Sequence, residues 1–447
     1  MYQSSNSPES CNDISSLLIS SRDWNVPSLA EPLSRDTMLQ TFDAIAEANL
    51  IVEQNVSDDF SKAYTASTRL VNNFFDVFER KKESKKYDWS FAVPARGEET
   101  QGEEYASEVT FFLPILDPKF GVNSMVRQRT VAHLAPGVIE SYKGDETGIR
   151  GAVVWTPVYF DPKTWNIDAA RYRVNEAAGF ISNTLGANIM GLGATLPILT
   201  NSGQRIRQEG LTTTTGHGGT VHLIAETARE VAEHEQVSPL IGVLGLGAIG
   251  QSALEVLRED ISITHAHSFI VYDKKPVLVE KAVNSNESGI ATTPATGYID
   301  LIKKADIIVT AITERIDLDK EEQISGKPID LFGKTIIDDS QPGCFERAQV
   351  EARGGRLVWV VGEDTTKQHS FKRLDGYAYG DAAGLHGERA VWGCEAEAGS
   401  IAMSGAYEHA VNTHVSSEIA RKVGKICFDA GIRVSNPLQS FGQPVDI

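Results

Sequence analysis

Three glycines stand in the run Gly245-Leu246-Gly247-Ala248-Ile249-Gly250, between five apolar residues, Leu240 to Leu244, and a stretch of helical periodicity, Ala248 to Glu259. A glycine-rich turn between a buried strand and a helix brings backbone N–H groups and the positive helix end up to a pyrophosphate. Gly245 would make the tight turn, Gly247 the close approach, and Gly250 the packing of helix on strand. The next strand, Ser268 to Tyr272, ends in Asp273, whose carboxylate can accept from the ribose hydroxyls of NAD. Lys274 and Lys275 follow and would grip a 2′-phosphate, so NAD is favoured while NADP stays open. Thr310, ending a later strand, is counted with the loop and Asp273 as cofactor-binding.

A second constellation lies near the C-terminus, in Val391-Trp392-Gly393-Cys394-Glu395-Ala396-Glu397-Ala398. Gly393 breaks the chain, placing Cys394 in the first turn of a helix, where the dipole and unpaired N–H groups favour the nucleophilic thiolate. Glu397 stands one turn on, on the same face, where it could manage a proton. Buried free cysteines more often only pack. Cys344 is the rival thiol, and Asp338 and Asp339 before it oppose its ionisation. His217, in a glycine-rich turn ahead of a helix, could reach a substrate carbonyl or relay a proton. For His409 and His414 a place on a helix face suffices.

The elements that must position these residues follow from periodicity. Residues 1–35 read as a flexible tail and 36–108 as an N-terminal helical region, two helices with a polar break near Ser57. Residues 109–236 read as a substrate domain: strands at Val109–Leu113 and Gly151–Tyr159, a helix from Asp168 to Leu185, a buried strand from Ala187 ending in glycines, and a helix from Thr220 to Glu235. Residues 237–376 alternate strands with helices, as in a Rossmann domain: Leu240–Leu244, Ser268–Tyr272, Asp306–Thr310, Thr335–Ile337 and Leu357–Val361. Residues 377–447 turn helical and are expected to pack back on the substrate domain. The expected class is α/β: a doubly wound parallel Rossmann sheet, a second α/β substrate domain and extra N-terminal helices.

With 42 Lys and Arg against 60 Asp and Glu, the net charge of −18 disfavours nucleic acid or an anionic membrane as partner. The one basic run, Arg80 to Lys86, reads as a solvated helix end. Cys11, Cys344, Cys394 and Cys427 are far apart, so no metal site is expected and free thiols in a reducing compartment are. No apolar run reaches the length of a membrane span, and the protein is expected to be cytoplasmic. The oligomeric state is not legible.

Three stretches resemble the aldehyde-forming fatty acyl-(acyl-carrier-protein) reductases. They are Gly186-Ala187 through Gly191-Leu192-Gly193-Ala194 to Thr214-Thr215-Gly216; the nucleotide loop with Ile336-Ile337-Asp338-Asp339; and Gly393-Cys394-Glu395-Ala396-Glu397-Ala398 with the helix to His409 and Asp429-Ala430-Gly431-Ile432. The likeness runs over residues 109 to 440 and is distant outside these stretches. His217 departs from it, replacing an asparagine, and Asp273 departs from a family built for NADP. The resemblance implies that Cys394 takes the acyl group of a carrier-protein or coenzyme A thioester, which NAD(P)H then reduces to an aldehyde. An aldehyde dehydrogenase running the other way, an alcohol or amino-acid dehydrogenase with direct hydride transfer, and a cofactor-sensing protein without catalysis are the other readings.

Overall fold

The computed structural model describes residues 35–36, 39–40, 42–43, 45–46, 58–79, 86–95, 115, 136–145, 147–159, 167–234, 239–260, 268–285, 289–340, 343–366, 371–373, 385, 387–413 and 415–447. Cys11, Ser57, the expected strand at Val109–Leu113 and His414 lie outside them.

A helix, α1 (Asp58–Glu79), precedes the first sheet. That sheet is built from β1 (Trp89–Ala95), β2 (Gly137–Lys143), β3 (Arg150–Tyr159), β4 (Ile189–Leu192) and β5 (Thr212–Thr214), in the order β2-β3-β1-β4-β5. Only β2 is antiparallel to its neighbour. Between β3 and β4 run α2 (Ile167–Gly179) and a π-helical turn, Phe180–Leu185, which ends at Gly186. Residues 89–95 therefore correct the expectation of a purely helical region to residue 108. Their run, Trp-Ser-Phe-Ala-Val-Pro-Ala, is interrupted by a proline that argues against a central strand; Pro94 is accommodated because the register with β3 shifts there.

From β5 the chain enters α3 (His217–His234), three residues earlier than the periodicity predicts. The nucleotide sheet follows: β6 (Leu240–Leu244), α4 (Ala248–Glu259), β7 (Ser268–Tyr272), α5 (Pro276–Asn284), β8 (Ala291–Pro294), α6 (Tyr298–Lys304), β9 (Ile307–Thr310), α7 (Leu318–Ser325), β10 (Thr335–Asp338) and β11 (Arg356–Trp359). Its six strands lie in the order β11-β10-β9-β6-β7-β8, all parallel. This is a doubly wound α/β sheet whose winding reverses between β6 and β9. β8 was missed because its Ala-Thr-Thr-Pro has almost no buried face.

Three short strands, β12 (Gly362–Asp364), β13 (Ala390–Val391) and β14 (Ile432–Val434), form an antiparallel sheet. They frame α8 (Gly393–Ser404) and α9 (Ser417–Asp429). α8 packs on β1 and β4 as well as on α3, and α9 packs on α3 and α4, so the C-terminal helices bridge both sheets. Among the described residues no helix is long and apolar enough to cross a membrane.

Candidate active site

The loop between β6 and α4 has three glycines in three different situations. Gly245 holds φ +90°, a left-handed conformation, and a Cβ there would lie 2.5 Å from the Ala311 carbonyl oxygen. At Gly250 a Cβ would lie 1.9 Å from the Gly245 carbonyl oxygen, so the helix can press on the turn only without a side chain. Gly247 is exposed, and a Cβ there would meet nothing within 4 Å. Its backbone opens α4 with no side-chain cap, leaving the first-turn N–H groups of Ala248 and Ile249 without intrahelical partners. Leu246 is buried and fixes the loop to the core.

Asp273 reaches back to this loop. Its two carboxylate oxygens accept from the N–H of Leu246 at 2.7 Å and of Lys275 at 2.8 Å. Lys274 is exposed and ion-paired with Glu314. A cleft of about 990 Å³ lies alongside, lined by Gly245, Gly247, Asp273, Tyr298, Ile312 and Arg315 among others. Thr310 does not reach it: the residue is wholly buried and its hydroxyl donates to Asp338 at 2.8 Å. The inward-facing position of β9 explains this, and Ala311, Ile312 and Thr313 line the cleft in its place.

Cys394 is the second residue of α8, in its first turn as expected. The helix N-terminus is wedged against that of α3. A Cβ on Gly216 would sit 2.3 Å from Cys394 Cβ, and one on Gly219 2.1 Å from the Gly393 carbonyl oxygen. Gly216 ends the β5 segment at φ +75°. Trp359, which ends β11 of the nucleotide sheet, meets Trp392, the residue that caps α8, edge-on with ring centroids 4.6 Å apart, and Cys394 packs against the cluster they form. Cys394 thus lies between Gly216, just past the C-terminal end of β5, and Trp359, at the C-terminal end of β11, the strand ends at which open α/β sheets bind ligands.

The expected thiolate is not what this environment favours. Part of Cys394 reaches solvent, but the protein atoms around it withdraw water, and this burial pushes the thiol well above its ordinary value. The charges of Glu395 and Asp339 add to the shift, and the backbone N–H groups of the helix start oppose it without prevailing.

Glu397 is fully buried and turned toward α3. It accepts from Gly216 N–H at 3.1 Å, from Gly219 N–H at 2.8 Å and, through a short bond, from the Thr214 hydroxyl. Burial raises this carboxyl while the four donors around it, Gly218 included, draw it down. Its oxygens are thus committed to the α3 start. His217 opens α3 one residue past Gly216, half-buried, with its N–H 3.4 Å from Thr215 Oγ1. Cys344 is wholly interior, its thiol against Asp338 at 3.2 Å and Thr310 at 3.3 Å, and burial also pushes it well above its ordinary value.

Two residues named in the sequence motifs were given no role beside Cys394. Glu395 is buried beside Cys394 and accepts from Tyr142 at 3.4 Å and from Trp392 N–H at 3.3 Å. Asp339 directly follows the C-terminal end of β10 and is half-buried. The signal for Asp339 was available, since a doublet of acids at the C-terminal end of a parallel strand is at the ligand-binding edge.

No protein-family profile and no curated protein matches the chain. Among solved structures, it is similar to a reductive aminase from Aspergillus terreus, 17% identical over 28% of this chain and 40% of that one, with a TM-score of 0.20. An imine reductase from Myxococcus stipitatus is 17% identical over 30% and 43%, at 0.20. A dipicolinate synthase chain from Bacillus halodurans is 14% identical over 44% and 62%, at 0.27. The matched part thus spans less than two thirds of each. At these values the similarity assigns neither activity nor substrate to this chain.

Proposed function

We propose that this chain is a nicotinamide-dinucleotide-dependent oxidoreductase that reduces an acyl thioester, carried by a carrier protein or coenzyme A, to an aldehyde through a thioester on Cys394. The observation that supports it is the place of Cys394, partly accessible between the C-terminal strand ends of the two sheets, one of which carries the glycine loop.

The residues present fit NAD(H) or NADP(H). The open Gly247 backbone and the bare start of α4 suit a pyrophosphate, and the cleft beside Asp273 is large enough for an adenosine. Bound there in its reduced form, the cofactor supplies the hydride. Cys394 sulfur attacks the thioester carbonyl, the bond to the carrier sulfur breaks, and the acyl group stays on the enzyme, held in place for reduction. After hydride addition the C–S bond to Cys394 breaks and the aldehyde leaves. Glu397 holds the α3 start against which Cys394 packs, a positioning role.

Intact-protein mass spectrometry tests this. A panel of acyl thioesters without reduced cofactor is expected to leave an adduct on wild type that Cys394→Ala lacks and that NADH or NADPH discharges; no adduct from any member overturns the reading.

A second reading is favoured by the raised thiol: a dehydrogenase with direct hydride transfer, in which Cys394 stays protonated and packs. Full turnover by Cys394→Ser on an alcohol, amine or carbonyl substrate would support it.

A further inference from the structure

Just past the C-terminal end of β4 the chain makes a single helical turn, Leu196–Leu199. Leu196, Pro197 and Leu199 are buried, and both leucines belong to the core formed by the first sheet and α2. Ile198 points away from that core and is 74% exposed. It lines the cleft of about 990 Å³ beside the glycine loop, together with Gly245, Gly247 and Asp273. Every other residue lining this cleft falls between Leu244 and Glu321, in the nucleotide sheet and its connections, so Ile198 is the contribution of the first sheet. Of the large apolar side chains exposed among the described residues, it alone lines the cleft.

The turn is fastened on all sides. The Thr200 hydroxyl donates to the Leu196 carbonyl at 2.6 Å and accepts from Gly203 N–H at 3.0 Å. Ser202 N–H donates to the Pro197 carbonyl at 2.7 Å, and the Arg171 guanidinium, from α2, donates to the Leu199 carbonyl at 2.9 Å. Three successive residues behind the turn are left-handed, Asn201 at φ +52°, Ser202 at +56° and Gly203 at +87°, and so is Ala194 ahead of it at +49°. Residues with a side chain hold this conformation where their surroundings impose it, and such positions cluster at ligand clamps. An apolar side chain on so fixed a turn meets a ligand with little further ordering to lose.

We propose that Ile198 is a cofactor-binding residue: it packs on the adenosine diphosphate half of the nicotinamide dinucleotide, which thereby touches both sheets. The assignment rests on the dinucleotide reading of the cleft given above. The chemistry divides the ligand between the walls. The bare start of α4 at Gly247 suits the pyrophosphate, and Asp273 marks the ribose end. Isoleucine offers neither a donor nor a charge, so what it can cover is the face of the adenine or the ribose carbons. Covering them removes its own exposed apolar surface from water.

The experiment is calorimetric titration of wild type, Ile198→Ala and Ile198→Leu with NADH, NADPH and ADP-ribose, which lacks the nicotinamide, paired with thermal unfolding of each unliganded protein. Removing three carbons from a contact that excludes water is expected to weaken ADP-ribose and the dinucleotide that wild type prefers alike, by roughly tenfold. Leucine, with as many carbons as isoleucine, should bind within about twofold of wild type. Because the side chain is exposed in the free protein, the unliganded unfolding midpoints should agree within about 2 °C. Undiminished ADP-ribose binding by Ile198→Ala overturns the assignment, whether or not the dinucleotide weakens. A lowered midpoint in unliganded Ile198→Ala overturns it too, since the side chain would then act in the fold. If wild type binds none of the three ligands, the dinucleotide reading itself falls and the assignment with it; if wild type binds them and Ile198→Ala binds them equally, that reading stands and only the assignment is lost.

Discussion

Gly216 and Cys394 are in direct contact: a methyl group placed on Gly216 would lie 2.3 Å from Cys394 Cβ and 2.6 Å from its Cα. The start of α3 and the start of α8 therefore interlock, and Gly216 does so at φ +75°. Gly216→Ala should cost about 1 kcal/mol for the left-handed backbone and a further 1–3 kcal/mol for overpacking. Urea unfolding should show this loss, and Cys394, displaced by the new methyl, should lose acyl uptake. Wild-type stability would mean that the helix starts are not interlocked.

Glu397 fastens the same junction from within. Its carboxyl collects the N–H groups of Gly216 and Gly219 and the Thr214 hydroxyl, and Thr214 Oγ1 in turn accepts from Val411 N–H at 2.9 Å. Glu397→Ala leaves several buried donors unanswered, a loss on the order of 3–5 kcal/mol. Glu397→Gln keeps an acceptor oxygen and should fall between the two. Denaturant midpoints that ranked alanine and glutamine equally would show that the donors find other partners.

The nucleotide sheet was legible because its signals are local. An apolar run, a glycine triplet at fixed spacing and a helix are read in order along the chain, and β6, β7 and α4 fall at the residues the pattern marks. The first turn of α8 was legible for the same reason, from Gly393. Electrostatics were not, since the helix start that favours a Cys394 thiolate is overruled chiefly by burial, to which the charges of Glu395 and of Asp339, 55 positions away in sequence, add. Nor did the spacing of Cys394 and Glu397 reveal that Glu397 answers the amides of another helix. β1 was hidden by Pro94, and Thr310 was misplaced because periodicity marks a strand end and not which side chain there faces the cleft.

The glycine loop separates binding from folding. Gly247→Ala puts a methyl into open space at the exposed turn, so stability should stay within about 1 kcal/mol, while dinucleotide binding falls because the backbone can no longer approach a pyrophosphate. Gly250→Ala drives a methyl to 1.9 Å from the Gly245 carbonyl and should lose both stability and binding. Fluorescence titration with NADH and NADPH, paired with thermal unfolding, distinguishes them. Retained binding by Gly247→Ala would place the pyrophosphate elsewhere.

The buried Glu395 should set a pH dependence of stability. Burial, aided by the nearby Glu140 charge, raises its carboxyl to about 8, although Trp392 N–H, Arg373 and the Tyr142 hydroxyl pull the other way. One of its oxygens, Oε1, has no hydrogen-bond partner among the described residues, as suits a neutral carboxyl better than a charged one. Unfolding returns the group to its ordinary value of 4.5. Between that pH and about 8 the native state therefore holds a proton that the unfolded chain has lost, so the contribution to stability is complete below 4.5, declines as pH rises through the window and levels off above 8. The span is on the order of a few kcal/mol. Glu395→Gln removes the titration at nearly constant volume. Its unfolding free energy should vary less between pH 5.5 and 8 than that of wild type, and at pH 8 it should be the more stable protein. Parallel pH profiles for the two proteins would show that Glu395 is ionised in the native state and held so by Arg373.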